Sequence, residues 1–228
     1  MLASTPTFPN IGFVGRHAWK FYIVWHWRIV ALLRIHPTHA IILVDIYVDT
    51  GIFMPNYRRN FVAGGCYFFT VNLLERQRTL LTDHIDLLRD SVRRVKRLYP
   101  FHIDAWVVLP DHLHCVLTLP PDTDDFPVRW RLIKLLFAKG LPRTEQLSAT
   151  RRKRSERGIW QRRYWEHTIT TELDYARHID YIHVNPLKHG YVSKIQDWPY
   201  STFHRYVHDG ILAVDWCGDV GDLPTVSD

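Results

Sequence analysis

Cysteine is scarce. The three present in 228 residues, Cys66, Cys115 and Cys217, are scattered and form no Cys-x-x-Cys. This argues against a disulfide framework or a zinc knuckle and suits reduced thiols in a cytosolic protein. Long apolar runs are missing as well. The stretches 21–30 and 40–48 are interrupted by His26, Arg28, Arg34, His36 and His39, so neither reads as a membrane span. The start lacks the basic region and small-residue cleavage site of a secretory signal. There is no internal repeat and no long low-complexity linker.

What remains is the composition of a folded domain with extensions. Hydrophobic residues make up 46% of the chain, aromatic residues 14% and charged residues 23%, which argues against global disorder. The formal net charge of +6 permits a nucleic-acid partner without requiring one. Residues 1–53 are unlike the rest: basic residues are few, acids fewer, and Trp, His and Ile abound. They read as an atypical extension outside the functional domain, with Met54 a candidate start. The domain is expected over 54–220, followed by a tail over 221–228.

Periodicity within that domain alternates between two and 3.6 residues. Strands are expected over 66–74, 101–109, 112–119 and 159–169. Helices are expected over 83–98 and 126–139, and a third begins near Asp174 and stops at Asn185, where Pro186 disfavours the α region. The segment 140–158 reads as an exposed basic loop. This order implies an α+β fold: a ferredoxin-like, split βαβ antiparallel sheet with helices on one face, plus an added C-terminal helix.

The chemistry concentrates at Val107-Val108-Leu109-Pro110-Asp111-His112-Leu113-His114. On a strand, His112 and His114 point the same way while Leu113 enters the core. Two such imidazoles can grip a divalent metal. With 14 histidines in the chain, however, a chance His-x-His is not improbable. Tyr181 and Asn185 strengthen the case, because residues four apart share a helical face. Two histidines and an amide suit Mg²⁺ or Mn²⁺ with water filling the remaining positions, and the lack of thiolate disfavours structural zinc. Beside such a cation Tyr181 becomes a candidate nucleophile toward a phosphodiester. Asp111, directly before His112, either orients that histidine or is simply a turn residue, the turn being preferred, and His183 faces away from Tyr181.

Basic clusters occur at Arg58 and Arg59, at Arg93, Arg94, Lys96 and Arg97, at Arg151, Arg152, Lys153 and Arg154, and at Arg162 and Arg163. They can neutralise phosphates, and Trp160, Tyr164 and Trp165 can stack unpaired bases. The bland readings are a solvated helix face for the second cluster and core packing for the aromatics.

Taken together, the chain resembles the HUH single-tyrosine transposases, and within them the REP-associated tyrosine transposases. The likeness runs from about residue 54 to 220. It rests on Tyr57-Arg58-Arg59, Phe68-Phe69-Thr70-Val71-Asn72, Trp106-Val107-Val108-Leu109-Pro110, His112-Leu113-His114, Trp165-Glu166-His167, Asp180-Tyr181-Ile182, Val184-Asn185-Pro186 and Trp198-Pro199-Tyr200-Ser201-Thr202-Phe203. The resemblance implies that His112 and His114 bind the metal, that Asn185 is the third ligand and that Tyr181 is the nucleophile. It implies a substrate of single-stranded DNA beside hairpins of repetitive extragenic palindromes (REP), guided by a GTAG-like tetranucleotide. It also implies a monomer, associated with the nucleoid, that needs no ATP.

Two other readings stay open at this level. One is a non-catalytic hairpin-binding module. The other, ranked last, is a metal-dependent hydrolase, which lacks a further carboxylate or histidine cluster at suitable spacing. Tyr175 and Tyr191 are rival nucleophiles, but Ile179 occupies the position where Tyr175 would need an Asn, and Tyr191 lies past the helix stop at Lys188-His189-Gly190.

Overall fold

The computed structural model describes residues 59–218. The readings of 1–53, Arg58 and the 221–228 tail lie outside them. In chain order the elements are β1 (Cys66–Asn72), α1 (Leu80–Asp83), α2 (Ile85–Leu98), β2 (His102–Val108), β3 (His112–Thr118), α3 (Phe126–Gly140), α4 (Ala149–Lys153), β4 (Trp165–Ile169), α5 (Glu172–Lys188) and α6 (Phe203–His208). The strands form one antiparallel sheet in the order β2-β3-β1-β4. This is the split βαβ arrangement, with β3 inserted between β1 and β2.

Side-chain alternation gives the sheet two apolar faces. Tyr67, Phe69, Val71, Leu113, Cys115 and Leu117 point to one of them. There they meet Leu88, Val92 and Val95 of α2 and Trp130, Ile133 and Phe137 of α3. Phe68, Ala105, Val107 and Val116 point to the other, where α5 covers them with Ile179, Tyr181 and Ile182. Each such large side chain stabilises the fold by roughly 1.5–3 kcal/mol when taken fully from water. The added helix therefore covers the face opposite α2 and α3.

Turns hold this register. Gly64 takes φ +69°, and a Cβ there would lie 3.1 Å from the Cα of Pro121. Only glycine meets both demands without strain. The β2–β3 hairpin closes through Leu109 N–H donating to the His112 carbonyl at 2.9 Å.

Three local features differ from the sequence reading. The basic stretch is not all loop, since Ser148 caps the short helix α4 by accepting from Arg151 N–H. The fourth strand is shorter than expected: Trp160 makes an isolated bridge to Leu73, and pairing with β1 starts only at Trp165. The third major helix does not stop at Asn185 but runs through Pro186 to Lys188. Proline there removes one hydrogen bond to the Ile182 carbonyl. Burial of Ile182, Val184 and Pro186 offsets that loss, and the helix ends at Gly190 with φ +71°. At its start, Thr171 accepts from Asp174 N–H, and Thr170 N–H reaches the Asp174 carboxylate.

Candidate active site

The strand register places His112 opposite Asn72 and His114 opposite Thr70, on the face covered by α5. Both imidazoles are buried, and their ring centroids lie 4.9 Å apart. Each is held at Nδ1. Asp111 Oδ1 lies 2.7 Å from His112 Nδ1, and Thr70 Oγ1 lies 2.9 Å from His114 Nδ1. Gripping a histidine at Nδ1 presents Nε2 to a metal. Asp111 is thus more than a turn residue, contrary to the sequence reading. Burial raises its carboxyl, but His112 and Arg76 outweigh that and hold it below the ordinary carboxylate range.

The helix α5 brings the tyrosine to this pair. The Tyr181 ring stands edge-on to His114 with centroids 5.2 Å apart. Asn185 follows one helical turn later and is fully buried. His112 Nε2 and both polar atoms of the Asn185 side chain are buried with no hydrogen-bond partner among the described residues. Buried polar atoms of this kind are costly unless something else takes them up. A divalent cation accepting an imidazole nitrogen and an amide oxygen is a donor set that fits.

Several neighbours were not visible as site residues in the sequence. Lys188 donates to the Tyr181 hydroxyl at 3.3 Å and lies over its ring at 4.8 Å. Its spacing of seven residues, two helical turns, was the available signal. His189 packs 5.3 Å from His112. Arg76 pairs with Asp111 from the chain segment after β1.

The rival tyrosines differ in place: Tyr175 lies away from the histidine pair, whereas Tyr191 borders it, its ring 6.0 Å from that of His189, which packs against His112. Tyr175 donates to Asp104 at 3.1 Å, and burial with that carboxylate pushes its phenol far above the ordinary range. Tyr191 stacks on Trp198. His183 points instead toward α6, with Nε2 3.1 Å from Thr202 Oγ1.

No family model matches the chain. Individual proteins do. A REP-associated tyrosine transposase of Escherichia coli (strain K12) is 49% identical over 172 residues, covering 75% of this chain and 95% of that protein. A Haemophilus influenzae protein named for the same family is 46% identical over 167 residues, covering 73% and 95% respectively. The solved structure of a REP-associated tyrosine transposase bound to a REP hairpin matches with a TM-score of 0.64 and 46% identity. It covers 76% of this chain and 100% of that one. The chain belongs to the REP-associated tyrosine transposases.

On this transposase the basic residues separate into two groups. Arg59, Arg151 and Arg162 line one open pocket of about 570 Å³ together with Arg131, Lys134 and Tyr164. Arg59 lies over the Tyr164 ring at 4.3 Å and pairs with Glu166 at 3.4 Å. Arg162 pairs with Glu156 at 3.0 Å. Lys134, missed in the sequence because it sits on a helix with an apolar pattern, donates to the Gln161 carbonyl at 2.8 Å. Burial, with Arg59 nearby, lowers its pKa to about 8. Arg152, Lys153, Arg154 and Arg163 are exposed and stand outside this pocket. On α2, Arg89 and Arg93 pair with Asp86 and Asp90 one turn back, the pattern of a solvated helix face. Trp160 is core, as the bland reading had it. Among the described residues no helix is long and apolar enough to cross a membrane.

Proposed function

We propose that this transposase nicks and rejoins single-stranded DNA beside REP hairpins through a covalent phosphotyrosine intermediate. The observation that carries the reading is the contact between Tyr181 and His114, whose ring also packs against His112. The relatives' names and the hairpin-bound neighbour support the DNA substrate.

His112, His114 and Asn185 would hold Mg²⁺ or Mn²⁺. Bound there, the ion would supply Lewis-acid polarisation of the scissile phosphodiester and charge neutralisation. The chain's own groups do the rest. Asp111 and Thr70 fix the two imidazoles at Nδ1. Lys188 donates to the Tyr181 oxygen and so favours the phenolate, which is scarce for an unaided tyrosine at neutral pH. Tyr181 Oη then forms a bond to phosphorus while a P–O bond of the backbone breaks, freeing a hydroxyl on the other fragment. Bond energy is retained in the ester, so the released hydroxyl can reverse the step, as strand transfer requires. Arg59, Arg151, Arg162 and Lys134 would grip phosphates leading to the site, with Tyr164 as a stacking surface.

The test uses the full chain with labelled single-stranded DNA carrying a REP hairpin, in Mg²⁺ or Mn²⁺ and in EDTA. Label migrating with protein on a denaturing gel, lost in EDTA and in Tyr181→Phe, is the expected result. One observation favours the hairpin-binding module instead: Tyr181 is only 1% exposed, so DNA reaches it only if α5 or its surroundings shift. A tight hairpin complex without any adduct in either metal would establish that second reading.

A further inference from the structure

A second cluster of metal-ligating side chains lies on the same sheet face. His167 comes from β4, and Asp174 and His178 come from the first two turns of α5. One ligand atom from each lies within 4.8 Å of the other two. His167 Nε2 is 2.8 Å from Asp174 Oδ2; His178 Nδ1 is 3.0 Å from Asp174 Oδ1 and donates to the Asp174 main-chain carbonyl at 2.8 Å, through a proton that an incoming ion would displace. The two imidazoles stack with centroids 4.9 Å apart and planes at 19°.

This cluster is separate from the His112–His114 pair. The Phe68 ring lies between them, 4.7 Å from His178 and 5.6 Å from His114. Its chemistry differs too. Two imidazoles and one carboxylate, with no amide, form the facial set that borderline first-row ions prefer over Mg²⁺. Asp174 adds a carboxylate to the two imidazoles, a donor set that suits a divalent cation.

We propose that His167, Asp174 and His178 form a second metal site, taking Zn²⁺ or a similar divalent transition ion, with water completing the coordination. The ion would clamp β4 to the start of α5. His178 precedes Tyr181 by less than one helical turn, so the clamp fixes the helix segment that carries the tyrosine. The role is positional, and it does not depend on whether Tyr181 attacks DNA.

The experiment is Zn²⁺ titration of the full chain against a competing chelator, repeated with Co²⁺ to follow its visible absorption. Carrying His112→Ala and His114→Ala, the chain is expected to bind one Zn²⁺. Adding His167→Ala, at a side chain that is 39% exposed, weakens that binding at least tenfold and abolishes the Co²⁺ spectrum. Asp174→Asn, which keeps an oxygen for the helix cap, does the same. If the triple substitution disturbs folding, the unsubstituted chain and His167→Ala alone serve: Zn²⁺ stoichiometry falls by one, and the Zn²⁺-induced rise in Tm shrinks. Zn²⁺ affinity and stoichiometry unchanged by His167→Ala would overturn the site, as would failure of the folded His112→Ala/His114→Ala chain to bind Zn²⁺.

Discussion

Lys188 Nζ lies 3.3 Å from the Tyr181 hydroxyl, two helical turns further along α5. An ammonium so placed stabilises negative charge on the phenolic oxygen before attack and receives that oxygen again as a leaving group when the step reverses. Lys188→Met is therefore expected to lower the rate of adduct formation by about 10- to 100-fold, with hairpin affinity changed far less. Single-turnover adduct formation beside a gel-shift titration separates the two. Equal loss of both would assign Lys188 to DNA binding.

The carboxylate of Asp111 holds His112 at Nδ1, leaving Nε2 for the proposed metal. Asp111→Asn retains the shape and removes the charge. Apparent affinity for Mn²⁺, read from cleavage against metal concentration, is expected to fall about 10- to 100-fold, with much of the activity regained at high Mn²⁺. His112→Ala should be regained only in part, because a ligand itself is missing. Normal cleavage in EDTA would remove the metal from the mechanism.

A pH dependence follows from Lys134. In the free protein its ammonium titrates at about 8, lowered by burial and by Arg59. A phosphate in the pocket favours the charged form and raises that value, so the bound state holds the proton more tightly than the free state. Affinity for single-stranded DNA is thus full below pH 8 and declines as pH rises through 8 toward the ordinary lysine range. Fluorescence anisotropy between pH 7 and 9.5 should show this decline, and Lys134→Met should flatten it. A parallel decline in the variant would place the DNA elsewhere.

Arg129 offers a check on the fold alone. Its side chain is 2% exposed, pairs with Asp125 and donates to the Pro100 carbonyl at 2.8 and 3.3 Å. Arg129→Met leaves that carbonyl without its donor and is expected to destabilise the domain by about 2–3 kcal/mol. Thermal melting should show a Tm lower by about 5–10 °C. An unchanged Tm would mean that water or a neighbouring donor replaces the guanidinium.

The sheet and the order of its strands were legible because β1, β2 and β3 are runs of apolar, aromatic and β-branched residues bounded by turns, and α2 and α3 carry apolar stripes. His112, His114 and Tyr181 were legible by residue type and spacing, and the structure brings His114 and Tyr181 into ring contact. The end of α5 was not: local backbone preference at Asn185-Pro186 argued for a stop, whereas burial of Val184 and Pro186 carries the helix on to Lys188. That extra turn is what delivers Lys188 to Tyr181. Lys134 was hidden for another reason: its role depends on Gln161 and Arg59, partners from other elements that no local pattern announces. Asp111 was visible beside His112, but Arg76, which pairs with it from another segment, was not.

The outer edge of β2 is already occupied. Tyr200 and Thr202 exchange backbone hydrogen bonds with Val108 and Trp106, and the Thr202 side chain accepts from Trp106 N–H at 2.8 Å. An open strand edge is a template for another chain, whether in aggregation or in domain exchange. Here the chain's own Trp-Pro-Tyr-Ser-Thr segment takes that place. The motif that helps to mark the family is thus also a guard, closing this side of the sheet to intermolecular β pairing while α5 covers the face that holds the histidine pair.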